Sequence, residues 1–253
     1  MKFDIQRADP WKRISAFLFD AVMIVMVAVG IAAILSLFLS YGEHYDTLSA
    51  AEQEYAEKYG IDLGIAPEEY EKLSEEEKQK YEAADAEFAK DERVIYAYNM
   101  LLNLSLIILT MSLLLAFVAL ELVVPIFFKH GRTLGKKIFG LAVMRTNGVK
   151  LGGQAHFIRS IIGKYTMETM VPVYILLMII FGNLGAVGTV LLILILLLEI
   201  FTMCYTKTRS TIHDLVSDTV VVDMASQMIF ESEEELIAYK TRIHEEEVSK
   251  KEY

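Results

Sequence analysis

Three acidic side chains interrupt otherwise apolar stretches of this sequence. Asp20 lies within residues 14–39, Glu121 within residues 94–128, and Glu199 near the end of a third apolar region. An ionisable group inside a membrane span costs about 2.5–3.5 kcal/mol on insertion scales, so such residues are functional candidates. Buried carboxylates of this kind can hold a proton or a cation, or they can form ion pairs that fix helix packing.

Arg13 is a candidate counter-charge for Asp20. The two residues are seven positions apart, and seven helical steps of about 100° return to nearly the same helix face. A cavity open to cations or protons and a structural ion pair are both consistent with this spacing. Glu121 and Glu199 are expected near the inner membrane surface, where an interfacial position is the simpler interpretation. Glu168 is also expected to stay at the interface.

A second polar group follows the last apolar region, in the segment Thr208–Asp214. His213 beside Asp214 could act as a proton relay or as a pair of metal ligands, but a metal site needs more ligands at suitable spacing. We therefore favour a structural role for Asp214, as a helix cap or as a partner of basic side chains, and predict no metal site.

The segment Gly131–Lys137 superficially resembles a phosphate-binding loop. Its glycine spacing is one residue short, and Lys137 stands where Ser or Thr must bind magnesium. The sequence also lacks a nucleophile elbow and a dinucleotide-binding fingerprint. It therefore predicts neither an enzymatic activity nor a cofactor. The glycines are expected to let this segment pack closely against a neighbouring hairpin.

The apolar stretches that carry the acids are long enough to cross a bilayer, which takes about 20 residues. The last of them, residues 165–206, has 42 residues and would measure about 63 Å as one helix, twice the hydrocarbon thickness. Gly182-Asn183-Leu184-Gly185 near its middle is typical of a tight turn between two helices. Four spans are therefore predicted, with three as the alternative. The first is expected to be retained rather than cleaved as a signal peptide.

Charge is unevenly distributed between the two long polar loops. Residues 41–93 carry 17 Asp or Glu against 6 Lys or Arg, whereas residues 129–164 carry 8 Lys or Arg and no acid. Cytoplasmic flanks of membrane helices are enriched in Lys and Arg. The basic loop therefore predicts a multi-pass protein of the cell membrane with both termini in the cytoplasm, and the basic residues before the first span (Lys2, Arg7, Lys12 and Arg13) agree with it. Lipid is the expected partner, and nucleic acid is not.

The acidic loop is expected to be helical and extracytoplasmic. Ser49 with Glu52 and Ser74 with Glu77 match the capping-box pattern, and Pro67 suits a first helical position. The second of these capped helices could continue into the second span.

On the cytosolic side, Asn147-Gly148 between apolar runs predicts a small β-hairpin, and residues 155–170 an interfacial helix. Thr219–Val222 is β-like, and Ser232 with Glu235 marks the start of a charged tail helix. The predicted fold is an all-α transmembrane helical bundle with a helical extracytoplasmic loop and this hairpin. Its predicted segments are 1–40 (N-terminus and first span), 41–93 (acidic insertion), 94–128 (second span), 129–164 (basic loop), 165–205 (third and fourth spans) and 206–253 (tail).

These pieces, in this order, resemble the RDD family of membrane proteins. The resemblance covers residues 10–223 and leaves out the tail; the acidic loop is longer than is usual in the family. The family is named for one arginine and two aspartates, which the resemblance places at Arg13, Asp20 and Asp214. The matching segments are Arg13–Asp20, Gly131–Lys136, Gly140–Val143, Gly148, Arg159, Thr211–Asp214 and Thr219–Val222.

The resemblance implies little about activity beyond transport, including Na⁺/H⁺ exchange for some members. One hypothesis is therefore a cation/proton exchanger with Asp20 as the carrier and Arg13 tuning it. Because four helices hardly enclose a pathway, exchange implies a homo-oligomer or a partner protein. Gly182, Gly185 and Gly188 would permit close helix contact for that purpose. The alternative hypothesis is a non-transporting structural or regulatory membrane protein that binds a protein partner through its acidic loop or its tail.

Overall fold

The computed structural model describes residues 5–251, apart from the side chains of Lys129, Lys250 and Lys251. Lys2 and the last two residues of the predicted tail lie outside that range. The helices are α1 (Pro10–Phe38), α2 (Tyr41–Tyr59), α3 (Pro67–Tyr70), α4 (Glu75–Phe88), α5 (Glu92–Phe127), α6 (Leu134–Ile138), α7 (Gly153–Ile180), α8 (Gly185–Tyr205), α9 (Ile212–Val216) and α10 (Glu233–Lys251). The strands are β1 (Leu141–Arg145) and β2 (Thr219–Asp223).

Four of these helices, α1, α5, α7 and α8, are long and apolar enough to cross a membrane. Their outward side chains include large hydrophobic groups such as Phe17, Val25 and Leu194, each more than half exposed. Such faces are stable in lipid and not in water. The predicted bundle of four spans is therefore confirmed, and the three-span alternative is wrong. The predicted interfacial helix and the third span are consecutive parts of α7.

The predicted tight turn between the last two spans is present. Gly182 and Gly185 both have positive φ, 74° and 48°, a conformation that glycine adopts without steric cost. Gly188 lies one turn into α8, where an added Cβ would stand 3.0 Å from Ile179 Cδ1. This glycine therefore serves the packing of α8 against α7 within one chain.

The chain divides into two compact units. The first unit comprises the residues up to Val27 together with those from Leu114 onward, and the second unit comprises Ala28–Leu113. The sheet, α6, α7, α8 and α9 all belong to the first unit. The six residues singled out from the sequence as site candidates belong to it as well.

The second unit contains the acidic loop, which is helical as predicted. Ser74 caps α4 through the Glu77 backbone N–H, and Pro67 occupies the first position of α3, so both predicted helix starts are confirmed. The predicted start at Ser49 is wrong, because that residue lies inside α2. Helix α4 ends at Phe88 and α5 begins at Glu92, so the two are separate helices.

The first unit contains a two-stranded antiparallel sheet, as predicted, but its strands are not neighbours in sequence. β1 pairs with β2, with Leu141 opposite Asp223 and Arg145 opposite Thr219. The turn at Asn147-Gly148 forms, yet the chain beyond it makes only isolated bridges, from Lys150 back to Met144 and from Val149 to Phe230. Glycines 152 and 153 follow at once and start α7, so no second strand has room to form there.

Both faces of the sheet are covered, which explains why its strands are continuous apolar runs rather than alternating ones. One face packs Leu141, Val143 and Val221 with Ala16 of α1. The other face is built from Ala142, Met144, Val220 and Val222. The sheet is thereby fixed to the N-terminal half of α1.

The tail helix α10 begins as predicted, with Ser232 Oγ accepting the Glu235 N–H at 3.2 Å. Its first turn contacts other residues of the first unit. Leu236 packs with Val149 and Phe230 in a small buried cluster. This contact joins the start of the tail to the turn after β1.

Candidate functional site

The site is built where α9 packs against the third apolar helix. Residues Ile158–Met170 of α7 are π-helical, a rare geometry that is frequent at functional sites. Gly163 within this stretch allows the close approach, because a Cβ there would stand 2.6 Å from His213 Cβ and 2.8 Å from His213 Cα. The π-helical stretch and α9 together bring their polar side chains into one buried cluster.

Asp214 is the fully buried centre of an ion-pair network. Its Oδ2 lies 3.0 Å from Arg13 Nη2, and its Oδ1 accepts from Arg159 Nη1. Arg159 also donates to Thr219 Oγ1 at 2.6 Å. Burial alone would raise the pKa of Asp214, but the charges of Arg159 and Arg13 together lower it. Asp214 is therefore an anion that holds α1, α7 and α9 together, in line with the structural role favoured from the sequence.

Asp20 holds a different contact from the one expected. Its Oδ2 accepts from Thr133 Oγ1 at 2.5 Å, and its Oδ1 accepts from the Gly135 N–H at 2.7 Å. Thr133 also caps α6, and a Cβ on Gly135 would stand 3.0 Å from Asp20 Cγ. The glycine therefore packs on α1, while Arg13 pairs with Asp214. Asp20 tethers the α6 segment to α1.

Glu121 is buried in the protein and has a partner. Its Oε1 lies 2.6 Å from Lys164 Nζ, and its backbone carbonyl accepts from Ser160 Oγ. Lys136 is buried near the same pair and donates to Thr133 Oγ1 at 3.2 Å. Burial, reinforced by the charge of Lys164, lowers the pKa of Lys136 to about 8. This group forms a second polar cluster beside the Asp214 network.

Glu168, Glu199 and His213 form the third group, and we call it the acid–histidine cluster. Their ligand atoms all lie within 4.8 Å of one another. His213 Nδ1 is 2.7 Å from Glu168 Oε2, and the His213 backbone N–H donates to Glu168 Oε1. Glu199 Oε2 accepts one long bond, 3.4 Å, from the Ile212 N–H. Two carboxylates and an imidazole thus converge at one place.

The protonation of His213 follows from its neighbours. Nε2 lies 3.0 Å from Arg159 Nη2, and a guanidinium can only donate hydrogen bonds. Nε2 is therefore the acceptor, and Nδ1 carries the proton that it donates to Glu168. Burial lowers the pKa of His213 well below its usual value, which agrees with a neutral ring.

A cavity of about 340 Å³ adjoins these groups. Its polar lining includes the acid–histidine cluster and Thr211, together with Asp20 and four basic residues, Arg13, Lys136, Arg159 and Lys164. Apolar residues line the remainder, namely Ile14, Ala16, Phe17, Leu18, Leu141, Ile200, Met203 and Val221. The arrangement can hold a small cation, or a proton, on the carboxylates of the acid–histidine cluster.

The six predicted residues Arg13, Asp20, Glu121, Glu199, His213 and Asp214 are all brought into this region, but not all of them contact one another. Glu168, expected at the interface, is the residue that sequence reasoning missed, since its side chain is only 19% exposed and contacts His213. The sequence pattern indicates Lys136 and Lys164 only as two of the basic residues of the loop 129–164. The sequence offers one relevant signal: Lys164 and Glu168 are four residues apart and therefore lie on one face of a helix.

The model of the RDD family matches residues 7–218, which confirms the resemblance noted from the sequence. No curated protein and no solved structure matches the chain.

Proposed function

The chain belongs to the RDD family of membrane proteins, and we propose that it moves a cation across the membrane in exchange for protons. The ion is held by the acid–histidine cluster, Glu168, Glu199 and His213. The role proposed is transport without enzymatic catalysis.

The proximity of two carboxylates carries this proposal. Like charges brought together away from bulk water repel each other, and either a bound proton or a bound cation relieves the repulsion. Glu168 and Glu199 place their oxygens within 4.8 Å of each other beside the cavity. A proton and a cation therefore compete for the same oxygens, which is the elementary requirement for exchange.

The other buried acids are poorer candidates for the carrier. Asp20 has both oxygens engaged by Thr133 and Gly135, and Asp214 has both engaged by arginines. Glu121 is neutralised by Lys164. An incoming cation would have to displace each of these partners. Only weak contacts restrain Glu199, so the proposal moves the carrier from Asp20 to the acid–histidine cluster.

The charge bias of the sequence supports an orientation for this exchange. Basic residues dominate 129–164, which places that segment and both termini in the cytoplasm under the proposal. The cell membrane is the proposed location. Four helices are few for an enclosed pathway, so the proposal includes a homo-oligomer.

Everted membrane vesicles containing the overexpressed chain test the proposal. A pH gradient is formed, reported by a quenched acridine dye, and Na⁺ or Mn²⁺ is then added. The parent chain should restore the fluorescence, and Glu199→Gln should abolish that response at equal expression. Glu233→Gln, an exposed acid of the tail, is the matched control and should behave as the parent.

Two results would contradict the proposal. One is dequenching by Glu199→Gln equal to that of the parent. The other is a well-expressed parent chain that exchanges neither cation, which would leave the non-transporting role. Asp20→Asn should retain a response in proportion to its expression; its complete loss at full expression would restore Asp20 as the carrier.

A further inference from the structure

We propose that the acid–histidine cluster is a site for a divalent transition-metal cation, of the zinc or manganese class, rather than for Na⁺. This inference names the ion of the proposed function, and metal binding can be tested independently of transport.

The donor set identifies the class of ion. Imidazole nitrogen is a common ligand of zinc and the other divalent transition metals, whereas Na⁺ and Mg²⁺ are bound through oxygen. His213 adds such a nitrogen to two carboxylates. Ligand atoms on one tetrahedral zinc stand roughly 3.3–3.6 Å apart, since the zinc–ligand bonds are about 2.0–2.2 Å. The ligand atoms of the cluster lie within 4.8 Å of one another. Glu199 would therefore have to move towards the other two ligands, and its one long hydrogen bond permits this.

The side chain behind the histidine fits this role. A metal-bound histidine usually donates its other ring N–H to a carboxylate or carbonyl, which fixes the ring. Asp214 Oδ1 lies 3.6 Å from His213 Nε2. Metal binding at Nδ1 would displace the proton from that nitrogen, and the ring would take up one proton on Nε2. The Nε2–H could then donate a hydrogen bond to Asp214 Oδ1 after a small movement that brings the two atoms closer. The ring stays neutral throughout.

Arg159 must move for the His213 ring to carry its proton on Nε2 instead of Nδ1. Its Nη2 now donates to Nε2, and it would turn away when Nε2 gains a proton. Arg159 keeps its bonds to Asp214 and Thr219 through Nη1, so the movement does not leave the guanidinium without partners. The ring can therefore exchange one hydrogen-bonding arrangement for the other without breaking the ion-pair network.

The charge of the cluster matches a divalent ion. Ionised Glu168 and Glu199 together carry two negative charges, which one divalent ion neutralises and Na⁺ does not. The nearby basic groups already have partners: Lys164 pairs with Glu121, and Arg13 pairs with Asp214. The charge of the two glutamates is thus left for the ion.

Metal binding to the purified full-length chain in detergent tests the inference. After equilibrium dialysis against Zn²⁺ or Mn²⁺ with about 100 mM NaCl, the parent should retain about one ion per chain. Glu199→Gln should weaken the affinity by more than about tenfold. This variant is the least disturbing to the fold, because the carboxylate makes one long hydrogen bond that an amide oxygen can also accept.

His213→Gln tests the nitrogen ligand, with Co²⁺ as a spectroscopic probe. The visible absorption of bound Co²⁺ should be lost in His213→Gln and retained in His156→Gln. His156 is the matched control, because it is a buried histidine of α7 in the same unit and lies outside the cluster. Melting curves of each variant report whether it is folded.

The outcomes separate this inference from the proposed function. Metal bound by the parent and lost in Glu199→Gln supports the inference even where no exchange is seen. Na⁺/H⁺ exchange by a chain that binds no divalent ion overturns the inference and leaves the proposed function standing. Divalent binding unchanged in both Glu199→Gln and His213→Gln, with folding intact, also overturns it.

Discussion

Replacing Asp214 with asparagine should destabilise the first unit strongly. The Asp214 carboxylate is fully buried between Arg159, whose side chain is 3% exposed, and Arg13, whose side chain is 11% exposed. Asparagine is nearly the same size but leaves both guanidinium groups without their negative partner. Breaking a buried ion pair on one side costs about 3–5 kcal/mol, because the remaining charge stays buried. For a chain of this length that corresponds to a fall in Tm of roughly 6–20 °C.

Heating the detergent-purified chain and measuring the surviving monodisperse fraction by size exclusion gives this Tm. The single tryptophan, Trp11, provides fluorescence detection of the eluted protein. Asp218→Asn is the matched control, because that aspartate is four residues away and 61% exposed at its side chain. Its φ of 52° also suits asparagine. The control should shift Tm by less than about 2 °C, consistent with a surface substitution.

A Tm of Asp214→Asn within about 2 °C of the parent would refute the reasoning. An equally large fall in Asp218→Asn would refute it too, because the effect would then not depend on burial. A further check is Arg159→Met combined with Asp214→Asn. The double variant should be less destabilised than the sum of the two single variants, since it removes one of the two uncompensated charges.

Two further predictions concern Lys136 and Gly163. Since burial lowers the pKa of Lys136 to about 8, while an unfolded lysine titrates near 10.4, the unfolded chain binds more protons between these pH values. The free energy of unfolding should therefore rise by up to about 3 kcal/mol from pH 8 to pH 10 and beyond. Melting curves of Lys136→Met at the same pH values should lack this rise. The same pH dependence in Lys136→Met and in the parent would contradict the assignment of the effect to Lys136. Gly163→Ala should destabilise by about 1–3 kcal/mol through overpacking against His213, whereas Gly30→Ala, with open space around it, should be neutral or stabilising in the same melts.

Much of the fold could be predicted because the thickness of the bilayer fixes how many apolar residues one membrane-spanning helix needs. The length of each apolar stretch therefore indicates how many spans it contains. The division of residues 165–206 into two helices followed from that length and from the glycines at 182 and 185. The pairing of β1 with β2 could not be predicted in the same way. A turn motif reports only local geometry, and the partner of β1 lies beyond two membrane helices, at Thr219–Asp223.

The candidate site was only partly predictable for a related reason. Charge inside an apolar run singles out residues such as Asp20 and Glu121, but it does not say which partner each will have. The π-helical turns at Val118–Val123 and Ile158–Met170 shift side chains relative to a regular helix. Glu168 is thereby carried inward to His213, which regular helical spacing from the sequence does not show.

The central claim is that the acid–histidine cluster exchanges a cation for protons, and purified protein in liposomes tests it most directly. A pH-sensitive dye enclosed in the liposomes reports the internal pH as Na⁺ or Mn²⁺ is added outside. The internal pH should rise with the parent chain and with Glu233→Gln, and it should not rise with Glu199→Gln. The same rise with Glu199→Gln, or no rise with the parent chain, would contradict it.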